Sequence, residues 1–233
     1  MKILIVIPTL NEEKNIKFLI KKIIFLYKEI KILVVDDNSK DQTINILKKF
    51  DKKKVSYVVR KKKLGLGSAH KYGILYSYKK NFDYCITMDA DGTHNPLRIK
   101  LMINYLNQKK CDIVNTSRFI LKSSLKDWPT YRKFLTIFRF ILVKLILKTN
   151  FDSSGGFRAY NLKKINRNFL KFSNNNNYFF LIESLFYLEK LGYKIVDIPI
   201  KLRFRAAGQS KMKISHIIDS FFSLIKLRFL NNV

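Results

Sequence analysis

Apolar, β-branched runs alternate with helix-spaced segments through the first half of the chain, and that alternation restricts the fold more than any other feature. "KILIVIP" (2–8), "KILVVDD" (31–37), "VSYVVR" (55–60), "YCITMDA" (84–90) and "CDIVNTS" (111–117) read as strands. Between them, "NEEKNIKFLIKKIIFLYK" (11–28), "DQTINILKKF" (41–50), "GSAHKYGILYSYKK" (67–80) and "PLRIKLMINYLNQKK" (96–110) read as helices. Asn11 is expected to cap the first of these, with acids in its first turn. Strands and helices in this order make βαβ units. The predicted fold is therefore α/β, a mostly parallel, doubly wound sheet flanked by helices.

The second half is less regular. Residues 129–148 read as one or two basic amphipathic helices, 153–161 as a turn and short strand, and 173–177 ("SNNNN") as a loop. A helix over 178–192 precedes a strand over 193–204, where Pro199 argues for a sheet edge. A terminal amphipathic helix covers 213–230. With no internal repeat and no linker, one domain is expected over 1–233.

In such sheets ligands bind at the carboxyl ends of the strands. The polar clusters fall there: Asn11 and Glu12 after strand one, Asp36 and Asp37 ending strand two, Asp89 and Asp91 ending strand four, and Arg118 after strand five. In "MDADG", two carboxylates flank a small residue, which suits Mg²⁺ or Mn²⁺ with a substrate diphosphate completing the shell. A tight Asp-Gly turn is the other reading of the same residues. Asp37 suits a ribose or a base, or an Asx-turn. The loop "RKKKLGLGSA" (60–69) can bring backbone N–H groups and Lys63 to phosphates, although it matches neither GxGxxG nor a Walker A loop. "RFRAAGQSKM" (203–212) is a second basic, glycine-hinged loop suited to phosphate or to solvent. His94, next to a proline turn, suits a ligand or base but more simply a structural hydrogen bonder, and is left unassigned.

The 46 Lys+Arg against 17 Asp+Glu give a net charge of +29, which favours polyanions: phosphorylated substrates, anionic lipid headgroups or nucleic acid. No zinc spacing, RNP-like stretch or clear helix-turn-helix supports nucleic acid. Cys85 and Cys111 read as buried, reduced thiols. No apolar run reaches the ~18 residues of a membrane span, and the amino-terminal run lacks a signal-peptide cleavage site. Arg139 and Lys144 break the longest candidate, "IFRFILVKLILK".

Taken in order, "VIPTLNEEKNI", "VVDDNSKDQT", "KLGLGSAHKYGI", "MDADGTHNP", "SRF", "WPTYR", "DSSGGFRAYN" and "RFRAAGQSKM" resemble the family 2 glycosyltransferases of GT-A fold. Within them the chain is similar to the dolichol- or polyprenol-phosphate mannosyltransferases. The resemblance implies an inverting, metal-dependent hexosyltransferase. Its donor would be a nucleotide sugar, GDP-mannose or a UDP-hexose, and its acceptor dolichyl or polyprenyl phosphate. It places Pro8, Leu10, Glu12, Asp37, Lys63 and Ala90 at the donor nucleotide, although Leu10 stands where the family usually has Tyr. It places Asp89, Asp91 and Thr93 at the metal. Arg118 and Arg132 are expected to act in catalysis and, with Arg205, Ser210 and Lys211, to handle phosphate. Asp152 matches the segment ending in Gly-Phe-Arg158 and is the candidate if a base exists; Glu183, in an apolar helix, is a second candidate or simply a buried, paired acid. Residues 1–118 are expected to form the nucleotide-sugar half and 119–233 the acceptor half. The basic amphipathic helices are expected to lie on an anionic membrane surface, at the cytoplasmic face, or else to pack their apolar faces on the core. The alternative acceptor is a glycan or lipopolysaccharide precursor used by a soluble enzyme of the same family.

Overall fold

The computed structural model describes residues 1–108, 111–126, 128–202 and 214–229. Seven strands form one sheet: β1 (Ile3–Thr9), β2 (Lys31–Asp36), β3 (Val55–Val59), β4 (Tyr84–Thr87), β5 (Ile113–Ser117), β6 (Arg158–Asn161) and β7 (Ile195–Pro199). Their order across the sheet is β3-β2-β1-β4-β6-β5-β7. All pairs are parallel except β4–β6 and β5–β6, which are antiparallel. β7 is an edge, as Pro199 requires, because proline cannot donate to a further ladder.

The helices are α1 (Ile16–Leu26), α2 (Thr43–Leu47), α3 (Leu66–Lys79), α4 (Arg98–Asn107), α5 (Thr130–Leu147), α6 (Phe169–Phe172), α7 (Phe180–Lys190) and α8 (Ile214–Phe229). Alternate side chains of each central strand serve opposite faces. Ile3, Ile5 and Ile7 join the core under α1 and α4, while Leu4 and Val6 join the core under α3 and α7. α5, α7 and α8 enclose a third apolar cluster, with Val143, Leu147, Ile182, Phe186, Leu224 and Leu227.

Two expectations change. Asn11 does not cap α1. It lies at φ +51°, its N–H donates to Ser39 Oγ (2.8 Å), and its Oδ1 accepts from the Lys40 N–H (2.7 Å). It ties the β1–α1 loop to the β2–α2 loop, and the helix begins at Ile16. The second change is β6, a strand inserted antiparallel between β4 and β5. Its direction brings its preceding loop, 152–157, to the edge of the sheet where β4 and β5 end. Thr87 Oγ1 donates to the Gly156 carbonyl (2.7 Å) and Thr116 Oγ1 to that of Phe157 (2.9 Å), which pins the loop there.

Cys85 and Cys111 are buried and unpaired, and burial pushes their thiols up to about 12 and about 11. Among the described residues no helix is long and apolar enough to cross a membrane.

Candidate active site

The carboxyl edge of β1, β2 and β4 opens into a cleft. Pro8, Leu10 and Glu12 reach it from β1, Asp37 from β2, and Asp89, Ala90 and Asp91 from β4; Lys63 and Gly65 close one side. The structure thus gathers every residue that the sequence places at the donor nucleotide. It adds Thr9, Leu66 and Ala69, and, from the far half of the chain, Asn177 and Tyr178.

Asp37 builds the wall that carries Lys63. Its Oδ1 accepts from the Leu64 N–H (2.8 Å) and from Arg60 Nη1 (3.1 Å), and its Oδ2 from the Gly65 N–H (2.9 Å). The glycine loop then docks on the asparagine loop. A Cβ on Gly65, already at φ +96°, would sit 2.4 Å from the Asn176 carbonyl oxygen, and one on Gly67 2.4 Å from Phe180 Cβ. Only glycine permits that approach. Glu183 holds the asparagine loop from behind: its Oε2 accepts from Ser173 Oγ (2.8 Å) and from the Asn175 N–H (2.9 Å). Its carboxylate is buried and engaged, so Glu183 organises the cleft wall and is not placed as a base.

Asp89 and Asp91 stand together at the mouth of β4. Asp91 Oδ1 accepts from both the Thr93 N–H (3.1 Å) and the Thr93 hydroxyl (2.7 Å), so Thr93 orients this carboxylate. The Asp89 N–H donates to His94 Nδ1 (3.1 Å), which leaves the imidazole proton on Nε2, 3.8 Å from Asp89 Oδ2. The His94 ring stacks on Phe157 at 5.0 Å. His94 is thus a buried support for the loop, which the sequence left unassigned. Among the described residues no three or more His, Cys, Asp or Glu cluster as a metal cage. Two carboxylates at an open cleft suit Mg²⁺ or Mn²⁺, which take one or two protein carboxylates and leave room for phosphates and water.

Behind Asp89 lies a cationic cluster. The Arg118 Nε donates to Asp152 Oδ2 (2.7 Å) and Nη2 to Oδ1 (2.5 Å), while the Arg118 backbone N–H also donates to Oδ2 (3.0 Å). Burial alone would raise the Asp152 carboxyl, but Arg118 outweighs it and holds the group below the ordinary carboxylate range. A buried carboxylate locked in an Arg fork is a poor base, which corrects the expectation for Asp152. Arg158 is also structural. Fully buried, it donates to Asn115 Oδ1 (3.0 Å), the Ser153 carbonyl (2.6 Å) and Ser184 Oγ (3.2 Å), fastening the 152–157 loop to β5 and α7.

Arg132 does not line the cleft; its guanidinium lies over the Trp128 ring, 5.5 Å from the centroid. Arg205, Ser210 and Lys211 lie outside the described residues. Sequence reasoning missed Asn177 and Tyr178, which sit in a plain asparagine-rich stretch whose only signal is the pair of glycines it must meet. Arg139, which looked like an interruption of an apolar run, turns inward, its Nη2 donating to Ser154 Oγ (2.9 Å).

A doubly wound sheet with an antiparallel strand beyond its fourth parallel member, and carboxylates at its carboxyl edge, is the GT-A architecture of nucleotide-sugar glycosyltransferases. The chain belongs to the glycosyl transferase family 2, whose pattern matches residues 4–169. It is 28% identical over 225 residues to the polyprenol monophosphomannose synthase of Mycolicibacterium smegmatis, covering 95% of this chain and 84% of the relative. It is 29% identical over 215 residues to the undecaprenyl-phosphate mannosyltransferase of Micrococcus luteus, covering 91% and 88%. Among solved structures, the fold matches Mycobacterium tuberculosis glucosyl-3-phosphoglycerate synthase in complex with Mn²⁺, UDP and glucosyl-3-phosphoglycerate. That match has a TM-score of 0.63 and 19% identity, over 97% of this chain and 76% of the other.

Proposed function

We propose that this glycosyltransferase moves a hexosyl group, most simply mannose, from a nucleotide diphosphate sugar to a phosphorylated acceptor, with polyprenyl phosphate the leading acceptor. The β1–β2–β4 cleft takes the nucleotide. Asp37 holds the Lys63 loop in place, and Asp89 and Asp91 hold a divalent cation, with Thr93 fixing the orientation of Asp91. The cation, when bound, neutralises charge on the leaving diphosphate. Arg118, kept rigid by Asp152, supplies positive charge beside Asp89.

One observation carries the choice of a phosphate acceptor. The carboxylates that the sequence offers as bases, Asp152 and Glu183, are both buried and engaged. A phosphate monoester, with its second pKa near about 6, is already largely a dianion at neutral pH and needs positioning more than deprotonation. Both mannosyltransferase relatives are named for polyprenol-type lipid phosphates.

The outer face of α5 and α8 supports the lipid acceptor. Phe134, Phe138, Leu145, Phe222 and Phe229 are exposed there, Leu145 by 70%, while the inner faces of the same helices pack on one another. Lys133, Lys144, Lys226 and Arg228 are interspersed. An apolar strip with basic residues suits the interface of an anionic membrane, each basic residue contributing on the order of 1 kcal/mol. We place the protein peripherally on the cytoplasmic membrane face.

A second reading, a soluble family 2 enzyme with a small acceptor, draws on the solved complex in which a similar fold binds Mn²⁺, UDP and glucosyl-3-phosphoglycerate. That complex favours it over the lipid reading as far as bound ligands go. The deciding experiment incubates the purified protein with Mn²⁺, a panel of GDP- and UDP-sugars, and either polyprenyl phosphate or soluble phosphorylated acceptors, read by mass spectrometry. Glycosylated polyprenyl phosphate supports the lead. Product only on a soluble acceptor replaces it with the second reading, and no product with any pair refutes both.

A further inference from the structure

One wall of the cleft comes from the far half of the chain: Asn177 and Tyr178, in the turn that leads into α7. The loop that carries them is docked through its backbone. The Ser68 N–H donates to the Asn176 carbonyl (3.0 Å), and the Phe180 N–H to that of Asn177 (3.3 Å). Behind the loop, the Asn175 N–H donates to Glu183 Oε2 (2.9 Å), and Asn175 Oδ1 accepts from the Asn177 N–H (2.8 Å). The side-chain amide of Asn177 is not spent on this docking. It is exposed at the cleft and makes no hydrogen bond among the described residues.

Gly65 sets the place of that amide. Asn177 Oδ1 packs on the glycine, 2.5 Å from where a Cβ would stand, and the Gly65 N–H donates to Asp37 Oδ2 (2.9 Å). Asn177 therefore stands at the Asp37 end of the cleft. β1 separates the strand that leads to Asp37 from the strand that leads to Asp89 and Asp91, so this end lies away from the carboxylate pair.

A nucleoside at that end presents a base with a π-face and with donors and acceptors along its edge. Asp37 reads little of it. A carboxylate only accepts, and Leu64, Gly65 and Arg60 already fill three of its roughly four acceptor sites. Leu10 and Leu66 offer apolar surface without a ring. Tyr178, half-buried, is the one aromatic side chain among the described residues that line the cleft. The neighbouring Asn177 amide brings both a donor and an acceptor.

We propose that Asn177 and Tyr178 select the nucleobase of the donor: Tyr178 takes the face of the base, and Asn177 reads its edge. The choice among nucleoside diphosphates then belongs to a loop of the second half of the chain, and not to residues 1–118 alone. The inference rests on the proposed function for the presence of a nucleotide in the cleft, and adds the residues that choose which one. Glu183, through Asn175, is the positioning residue of this reader.

Calorimetric titration tests this without turnover. GDP, UDP, ADP, CDP and inorganic pyrophosphate are titrated, each with Mn²⁺, into the wild type and into Asn177→Ala, Tyr178→Leu and Tyr178→Phe. Tyr178→Leu is expected to weaken every nucleotide by about fivefold or more, because stacking serves any base, and Tyr178→Phe to stay near wild type. Asn177→Ala is expected to narrow the ratio between the tightest nucleotide and the next by about fivefold or more. Pyrophosphate, which has no base, should bind all of these proteins alike, and their ligand-free melting midpoints should agree. Unchanged nucleotide affinity in Tyr178→Leu, or an unchanged ratio in Asn177→Ala, overturns the selection and leaves the proposed transfer intact. So does a wild type that binds all four nucleotides equally. A loss that pyrophosphate shares, or that comes with a lowered ligand-free midpoint, overturns it in favour of a structural wall. A wild type that binds no nucleotide with Mn²⁺ refutes the selection and the proposed function together.

Discussion

Arg118 closes its guanidinium fork on Asp152, Nε at 2.7 Å from Oδ2 and Nη2 at 2.5 Å from Oδ1, and so fixes the loop between α5 and β6 against the end of β5. Breaking this pair from the acid side strands two arginines. Asp152→Asn is expected to destabilise the fold by about 3–5 kcal/mol, the usual cost of an uncompensated buried charge. The folded-state pKa of Asp152 lies below its unfolded value. Its contribution is therefore complete above the ordinary carboxylate range and is lost as pH falls through the folded pKa. Urea unfolding across acid pH should show that loss in the wild type and a weaker one in Asp152→Asn.

His70 gives a second pH dependence, at higher pH. It is fully buried, its Nε2 has no partner, and burial, then Arg158 and His94, pull it from 6.5 to about 3. The unfolded chain takes up a proton below about 6.5 that the folded chain refuses, so stability falls as pH drops from there towards about 3. The slope approaches ~1.4 kcal/mol per pH unit. His70→Gln should flatten stability between pH ~6 and ~4, measured by the same unfolding series.

The Thr93 hydroxyl donates to Asp91 Oδ1 (2.7 Å), so under the proposed function it acts on the cation through Asp91. Thr93→Val removes that bond and frees the carboxylate to rotate. Mn²⁺ affinity in the presence of nucleotide should weaken by about 10–100-fold, the range for supporting groups around metal ligands, with the melting temperature little changed. Mn²⁺ titration by electron paramagnetic resonance reads this directly.

Gly67 is where the two loops of the nucleotide wall meet. A Cβ there would lie 2.4 Å from Phe180 Cβ and 2.7 Å from the Asn177 carbonyl oxygen. Gly67→Ala should cost about 1–3 kcal/mol by overpacking and raise the donor KM by displacing Asn177. Gly92, at φ +75° with nothing within 4 Å, is the contrast: alanine there should cost only about 1 kcal/mol, from backbone strain. Urea unfolding with donor kinetics separates the two.

The outer face of α5 and α8 should hold the protein on membranes. Replacing Phe134, Phe138, Leu145 and Phe222 with serine should release it from anionic liposomes in flotation. Because these side chains are exposed, each change should move stability by only about 0.5 kcal/mol or less. Flotation that survives all four changes contradicts the docking face.

The parallel half of the fold was legible in the sequence because doubly buried strands are written as unbroken β-branched runs. β1 and β2 show it, with both faces of each strand apolar. The carboxylates were legible for the same reason: Asp37, Asp89 and Asp91 end those runs. β6 was legible only as a short strand after a turn; its antiparallel direction and its place between β4 and β5 were not, since both depend on partners distant in the chain. With these went the position of the 152–157 loop, and so the reading of Asp152 as a base. The inward contact of Arg139 was hidden because a lone arginine in an amphipathic helix has the same pattern whether it faces solvent or the half-buried Ser154. Asn177 and Tyr178 reach the cleft only through the docking of two loops about a hundred residues apart, which no local pattern records.

The central claim is that Asp89 and Asp91 hold a divalent cation that completes a nucleotide-diphosphate site, and calorimetric titration of GDP and UDP with and without Mn²⁺ tests it most directly. Binding of at least one nucleotide that requires Mn²⁺, and that is lost in Asp91→Asn while the variant remains folded, is the expected result. Binding of equal strength without the metal, or unchanged in Asp91→Asn, would contradict it.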